Sequence, residues 1–263
     1  MNSAFDIAAI EYDTVFTHSK IGKLQRDLVY KYLKDALPKD SSLQILEINC
    51  GTGADALWLA EQGHHVIATD ISEEMIRKGK QKVENTSHTI TFQKLDINDL
   101  DKTEFPHKFD LIFSDFGGLN CLSPEELKNF FKTAKSKLQP DGQIIGVIMP
   151  KYCLLETLYF SLKGSFKKAF RRNTNTSVDA NVDGVIVPTW YYNPKQIQQF
   201  SKHAFNVAGK KPIGLMIPPS YLEPFFIKKN ILLKLLQGLD SLFNKLSFLA
   251  PFSDHYIITL SRK

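Results

Sequence analysis

An α/β protein with one mostly parallel sheet, covered by helices on both faces, is the fold that the sequence predicts. Three observations carry that prediction. Short β-branched apolar runs alternate with longer segments of helical period over 44–150. The runs are apolar at nearly every position, as strands buried on both faces are. A glycine-bearing turn, Asn49-Cys50-Gly51-Thr52-Gly53, stands where the first strand gives way to a helix. The chain has 263 residues, 43% apolar and 23% charged, which excludes wholesale disorder and a coiled-coil rod and suits one large domain.

The elements follow in order. Residues 21–37 read as a helix that Pro38 ends. QILEIN (44–49) is the first strand, ADALWLAEQG (54–63) a helix closed by glycine, and HVIATD (65–70) the second strand. SEEMIRKGKQKVEN (72–85) opens on Ser72 and two acids, groups that satisfy the free N–H groups of a first turn. TITFQKLD (89–96) and KFDLIFSDFG (108–117) are the third and fourth strands. Ser123-Pro124 starts a capped helix over 123–138, QPDG (139–142) is a turn by composition, and GQIIGVIMP (142–150) is the fifth strand. Residues 151–192 are basic and aromatic without a clear period. A helix is expected over 193–203, closing strands over 211–217 and 255–263, and a long Leu/Phe-rich helix over 226–247.

The bulk numbers narrow the function classes. A net charge of +5 permits an acidic substrate or a membrane surface but does not predict nucleic acid. Three scattered cysteines (Cys50, Cys121, Cys153) build neither a disulfide framework nor a zinc pattern, so a reducing cytosol and no metal are expected. No basic-then-apolar leader is read at the N-terminus, and no apolar run approaches the roughly 20 residues of a membrane span.

In an open parallel sheet, ligands bind beyond the C-terminal strand ends. Gly51 and Gly53 let the backbone turn sharply and leave no Cβ between it and a ligand. Asn49 stands where a further glycine would fit, and asparagine tolerates left-handed backbone. Such a loop can be a tight turn and nothing more; the acids around it point to a site. Asp70, Asp96 and Asp115 close the second, third and fourth strands, and Glu47 lies inside the first. A carboxylate at Asp70 can accept both hydroxyls of a ribose. One acidic rim suits a ligand with ribose hydroxyls, an amine and positive charge, and suits diphosphate poorly.

At this point a resemblance is plain. Residues 45–72, with Glu47-x-Asn49-x-Gly51-x-Gly53 and the acidic strand after it, resemble motif I of class I S-adenosylmethionine-dependent methyltransferases, (E/D)-x-G-x-G-x-G. KLDIND (94–99), FDLIFSDFG (109–117) and LQPDGQII (138–145) resemble further motifs of that class. FDIAAIEYDTVF (5–16) is similar to the N-terminal cap of its ubiquinone/menaquinone-biosynthesis-type subgroup. The resemblance implies a Rossmann-like, seven-stranded sheet of order 3-2-1-4-5-7-6 with the seventh strand antiparallel. It implies a single domain: cap 1–38, cofactor-binding core 39–150, lid or substrate insertion 151–192, closure 193–263. It implies S-adenosyl-L-methionine as cofactor and a small-molecule acceptor, lipid-like or acidic or aromatic. Gly51, Gly53, Asn49 and Cys50 would form the loop at the methionine end, with Glu47 orienting that loop or its bound amino group. Asp70 would hold the ribose and Ile71 pack on the adenine, flanked by Asp96 and Ile97. Asp115 and Phe116 would line the floor near the methyl group, and Tyr12 would close over the cofactor.

Three other readings stay open. Gly51-x-Gly53-x-x-Ala56 with Asp70 also fits a dinucleotide fingerprint, and Tyr30-x-x-x-Lys34 and Tyr159-x-x-x-Lys163 match the Tyr/Lys spacing of short-chain dehydrogenases. An NAD(P)-dependent dehydrogenase is therefore a rival, beside an RNA methyltransferase and a catalytically silent binding protein. If the acceptor is a hydroxyl, His18 and Asp115 are candidate bases, with Tyr191 and Tyr192 weaker. His64 and His65 read as turn residues. In the insertion, Arg171 and Arg172 are either part of a solvated basic face or a clamp for an acidic substrate. The leucines of 226–252 either pack on the sheet or on a partner subunit, or form a surface for peripheral membrane contact.

Overall fold

The computed structural model describes residues 4–182, 185–226 and 228–263. Residues 1–3, 183–184 and 227, which fall in the expected cap, insertion and late helix, lie outside the described residues.

Among the described residues, nine strands form two sheets. They are β1 (Gln44–Ile48), β2 (His65–Asp70), β3 (Ile90–Lys94), β4 (Phe109–Ser114), β5 (Leu138–Ile148), β6 (Val178–Val182), β7 (Val185–Thr189), β8 (Phe205–Ile213) and β9 (His255–Arg262). The large sheet runs β3-β2-β1-β4-β5-β9-β8, and β6-β7 is a separate antiparallel hairpin. Counted without the hairpin, the order is 3-2-1-4-5-7-6. Pairs among β1–β5 are parallel, and β9 is antiparallel to both β5 and β8.

Alternate residues of each central strand feed opposite cores. Ile45, Leu111, Phe113 and Ile145 pack under the helices Lys20–Ala36 and Ala54–Glu61, with Ile21, Val29, Leu33 and Leu59. Leu46, Ile48, Ile112 and Ile144 face the other way, against Leu127, Phe130 and Phe131 of the helix Pro124–Lys137 and Ile197 of the helix Pro194–Ser201. The caps form as their sequences suggest. Ser72 accepts from the Met75 amide and Ser19 from Gly22, and Ser123 with Glu126 closes a capping box. Each is worth about 1 kcal/mol.

Four boundaries differ from the sequence expectation. QPDG is carried inside β5, because Leu138 pairs with Phe109 and the next pair is Gln143 with Leu111, so 139–142 bulges out between them. The strand expected over 211–217 is β8, Phe205–Ile213. Its backbone runs along β9 from Phe205–Arg262 to Ile213–His255, and Gly214, at φ +68°, then turns the chain away. The late helix is Asn230–Phe243, preceded by a short helix Glu223–Phe226 and followed by the 3-10 turn Ser247–Phe252. The insertion holds two helices, Leu154–Leu162 and Phe166–Ala169, as well as the hairpin.

Candidate active site

The loop after β1 is bent by three left-handed residues, Asn49 (φ +57°), Gly51 (+53°) and Gly53 (+74°). The two glycines do different work. A Cβ on Gly53 would lie 2.6 Å from the Phe92 ring of β3, so this glycine serves helix–sheet packing. One on Gly51 would point at Tyr12, 3.4 Å away, on the side where a ligand must enter. The Asn49 side chain lies against the backbone of Gly118 in the loop after β4, where a Cβ would be 2.6 Å from it. Asn49 therefore ties two ligand-side loops together.

Asp70, at the end of β2, is 8% exposed. Its carboxylate accepts from the Gly51 amide and the Ser72 amide, both at 2.9 Å, so one side chain fixes the glycine loop and the next helix start. Ile71 beside it is half-buried. Beneath the loop lies a buried group of charges. Arg26, from the helix Lys20–Ala36, pairs with Asp55 at 2.8 Å, and the Tyr30 hydroxyl donates to the same Asp55 oxygen at 2.8 Å. The guanidinium lies beside the rings of Phe16 and Phe116 (5.5 and 5.2 Å), which meet each other edge to face at 5.0 Å. Glu47 and Asp115 complete the group. One oxygen of Asp115 accepts from the Phe116 amide. Its Oδ2, Glu47 Oε2 and Arg26 Nη1 are buried and have no hydrogen-bond partner. Burial and then the neighbouring Asp55 push both the Glu47 and the Asp115 carboxyls well above the ordinary carboxylate range. Burial likewise raises the Cys50 thiol. Tyr12, Arg26, Cys50, Asp55, Asp115 and Phe116 line one small pocket.

A cap closes this pocket. Asp6 accepts from the Ser72 hydroxyl at 2.6 Å. Asp13 accepts from Thr52 at 2.6 Å and from Lys82 at 2.8 Å. Lys78 reaches the carbonyls of Ala9 and Ile10. Tyr12 is held over Gly51 between these ties, and burial raises its phenol pKa.

The structure thus brings Tyr12, Glu47, Asn49, Cys50, Gly51, Asp70, Asp115 and Phe116 to one place. Asp96 and Ile97 stand farther along the strand ends, half-buried; Asp96 caps a 3-10 turn by accepting from the Asn98 amide. His18 is exposed and caps the turn Asp13–Thr17, so it is not at the pocket. Tyr192 donates to the Leu122 carbonyl at 2.6 Å, Tyr191 lies against the Arg172 guanidinium at 5.3 Å, and burial raises both phenols. The Arg171/Arg172 clamp also needs correction. Arg172 is 5% exposed. It spends its donors on Glu156 (3.0 and 2.6 Å), Asp254 Oδ1 (2.7 Å) and the Asp254 carbonyl (2.9 Å). Arg171 bridges Glu156 at 2.7 Å. Cys153, Glu156 and Asp254 bring potential ligand atoms within 4.8 Å of one another, but the Arg172 guanidinium already neutralises the two acids.

The Tyr/Lys pairs have other tasks. Tyr30 stacks on Trp58 at 4.1 Å with Lys34 over the same indole, and Lys163 donates to Tyr159 on the surface. Sequence reasoning missed Arg26 and Asp55. An acid in the first turn after the glycine loop was the available signal for Asp55; Arg26 gave none on a basic helix.

Comparison with known proteins agrees with this geometry. Residues 45–142 match the model of a methyltransferase domain. The chain is 31% identical over 135 residues to a putative methyltransferase, YqeM, of Bacillus subtilis, covering 51% of each protein. It is 26% identical over 147 residues to the demethylmenaquinone methyltransferase of Clavibacter sepedonicus, covering 55% of this chain and 56% of that one. The chain therefore spans about half the length of these curated relatives. A solved putative S-adenosylmethionine-dependent methyltransferase from Listeria monocytogenes shares the fold, with a TM-score of 0.60, 16% identity, and 89% and 96% of the two chains covered. Residues 45–142, which carry the glycine loop, are thus similar to a methyltransferase domain, and the sheet has the order 3-2-1-4-5-7-6 that the resemblance in the sequence implies.

Proposed function

We propose that the protein binds S-adenosylmethionine in the pocket under Tyr12 and transfers its methyl group to a small-molecule acceptor. The observation that carries this reading is the set of unpartnered buried atoms at one place: Glu47 Oε2, Asp115 Oδ2 and Arg26 Nη1. A buried polar atom without a partner costs about 1–3 kcal/mol, and a ligand that is both cationic and anionic relieves such a cost on both signs. When bound, the cofactor supplies a methyl group already activated by a sulfonium.

The chain's own residues then bind and orient. Glu47 holds the ammonium group and Arg26 the carboxylate. Asp70 accepts the ribose hydroxyls, and Ile71, Asp96 and Ile97 take the adenine. Tyr12 and the cap exclude water, and Asp115 with Phe116 forms the floor near the reacting carbon. Alignment supplies much of the rate enhancement in such a displacement, several kcal/mol. For a hydroxyl acceptor, Asp115 is the base that the geometry leaves, since its raised pKa brings it nearer to neutral. The cap similarity over 5–16 and the likeness to a demethylmenaquinone methyltransferase support an apolar, quinone-like acceptor. Among the described residues no helix is long and apolar enough to cross a membrane. Three free cysteines fit a reducing cytoplasm.

Thermal melting with S-adenosylmethionine, S-adenosylhomocysteine, NAD(H) and NADP(H) tests the reading. A ligand at ~100 times its Kd adds about 2.7 kcal/mol, a shift of a few degrees. The two sulfur ligands should raise the midpoint and the nicotinamides should not. A shift with a nicotinamide alone would return the dehydrogenase, and no shift with any ligand would refute the proposed pocket.

A further inference from the structure

The helix Asn230–Phe243 docks through a narrow polar and apolar seam. Leu233 is 3% exposed and Asp240 0%, and the Asp240 carboxylate accepts from the Leu215 and Ile217 amides. About half a turn round the helix, Ile231, Leu235 and Leu242 are 79%, 62% and 66% exposed. Leu232 and Leu239 widen this outward stripe, and Leu246, Phe248 and Phe252 extend it beyond the helix end. An ordinary surface helix carries polar residues on that face. Leu233 is packed in the core beneath the helix, Leu236 and Leu249 are half-buried, and the other leucines of the segment point to solvent.

The insertion lies alongside. The rings of Tyr152 and Phe252 are 6.4 Å apart, Phe160 stacks with Tyr221 at 6.2 Å, and Arg171 lies over Tyr221 at 5.4 Å. The helix Leu154–Leu162 exposes Leu154, Leu158 and Leu162, and Phe166 and Phe170 follow. Lysines border both segments: Lys163, Lys167 and Lys168 on one, Lys228, Lys229, Lys234 and Lys245 on the other. The acids are withdrawn. Glu156 is 1% exposed beneath Arg171 and Arg172, Asp240 is buried, and Glu223 accepts from the amides of Lys20 and Ile21. Segments 151–177 and 223–252 contain no other carboxylate.

We propose that this face docks on an anionic lipid bilayer, its leucines and phenylalanines seated at the acyl-chain boundary and its lysines on the lipid phosphates. Apolar side chains bordered by cations and cleared of acids complement a surface that is apolar within and anionic at its rim. Lysine stems lie along apolar surface while their heads stay at the phosphate level. A second copy of the chain would match the leucines but bring like charges together across a two-fold contact. The inference stands apart from the methyl-transfer reading, since it rests on neither the pocket nor the cofactor.

Flotation of the full chain with vesicles tests it. Phosphatidylcholine vesicles containing roughly one-third phosphatidylglycerol should carry the protein upward, vesicles of phosphatidylcholine alone should not, and added salt should weaken the binding. Leu235→Asp with Leu242→Asp should lower partitioning by about tenfold or more, with the melting midpoint kept, because neither residue belongs to the docking seam. Lys228→Gln, Lys229→Gln and Lys234→Gln together should abolish the preference for phosphatidylglycerol. Absence of binding to the anionic vesicles overturns the proposal, as does binding that the Leu→Asp pair leaves unchanged. A wild-type dimer that the Leu→Asp pair splits into monomers would overturn it in favour of a second copy.

Discussion

The two buried charge clusters of this molecule make an instructive pair. At the insertion, all four carboxylate oxygens of Glu156 and Asp254 accept from Arg171, Arg172 or Gln25. Under the glycine loop, Arg26 Nε meets Asp55 as an ion pair, yet Glu47, Asp115 and two guanidinium nitrogens of Arg26 keep atoms without a hydrogen bond. Their pKa directions follow. Burial opposes ionisation in both clusters, but the two arginines hold Glu156, and His255 with Arg172 holds Asp254, below the usual range, whereas Glu47 and Asp115 stay well above it. A finished cluster pins one element to another; an unfinished one is prepared for something that arrives later.

The largest expected effect falls on the finished cluster. Arg172→Ala leaves two buried carboxylates short of a partner and should cost about 3–5 kcal/mol in urea unfolding. Because both folded pKa values are depressed, the stability these acids give is complete above the unfolded carboxylate range and is lost as pH falls through the folded values. The variant should therefore lose much of its acid-limb slope. A cost under ~1 kcal/mol would dissolve the contrast between the clusters.

Next in size, Asp70→Ala should weaken S-adenosylhomocysteine binding by at least ~1.5 kcal/mol, the value of a charge-assisted bond, as read by calorimetry. Unchanged affinity would remove Asp70 from the ribose. Glu47→Gln sharpens the comparison by opposing signs. Removal of a poorly compensated charge should leave the ligand-free protein equally stable or up to about 1 kcal/mol more stable, while S-adenosylmethionine affinity falls about tenfold. Loss of ligand-free stability would mean that Glu47 is already satisfied.

The smallest effect concerns protons. Glu47 and Asp115 have raised pKa values, and a cationic ligand favours their ionised forms, so binding should release protons and tighten as pH rises. Calorimetry near neutral pH in buffers of different ionisation enthalpy counts them. S-adenosylhomocysteine keeps the ammonium group assigned to Glu47 but lacks the sulfonium assigned to the Asp115 side, so it should release fewer; equal release would separate Asp115 from the sulfonium.

The sheet and the glycine loop were readable because local and global signals agree there. Continuous apolar runs marked β1, β2, β4 and β5, and Asn49 could be assigned left-handed backbone from its residue type alone. Three of the four acids, Glu47, Asp70 and Asp115, lie near one another around the glycine loop. Asp96 does not join them. Legibility failed where partners are distant in sequence. Arg172 looked like one cation in a basic run, and only folding brings Glu156 and Asp254 to it. The edge strand β8 shows weak alternation and carries Gly209, Lys210 and Lys211, so its register comes from β9 and not from its own pattern. The late helix displayed its apolar stripe, but periodicity cannot say which side of a helix faces the core.

The position of β9 also bears on synthesis. It lies between β5 and β8, so neither of those strands can complete its hydrogen bonding until residues 255–262 have left the ribosome. Until then β5 offers an open, apolar border, Ile144 to Ile148, to whatever the nascent chain meets. Pairing a late segment into the middle of a sheet makes contacts of long sequence separation, which form slowly. The chain is therefore most exposed to mispairing in the interval just before its sheet closes, and truncation within 255–262 should yield aggregation, not a smaller soluble domain.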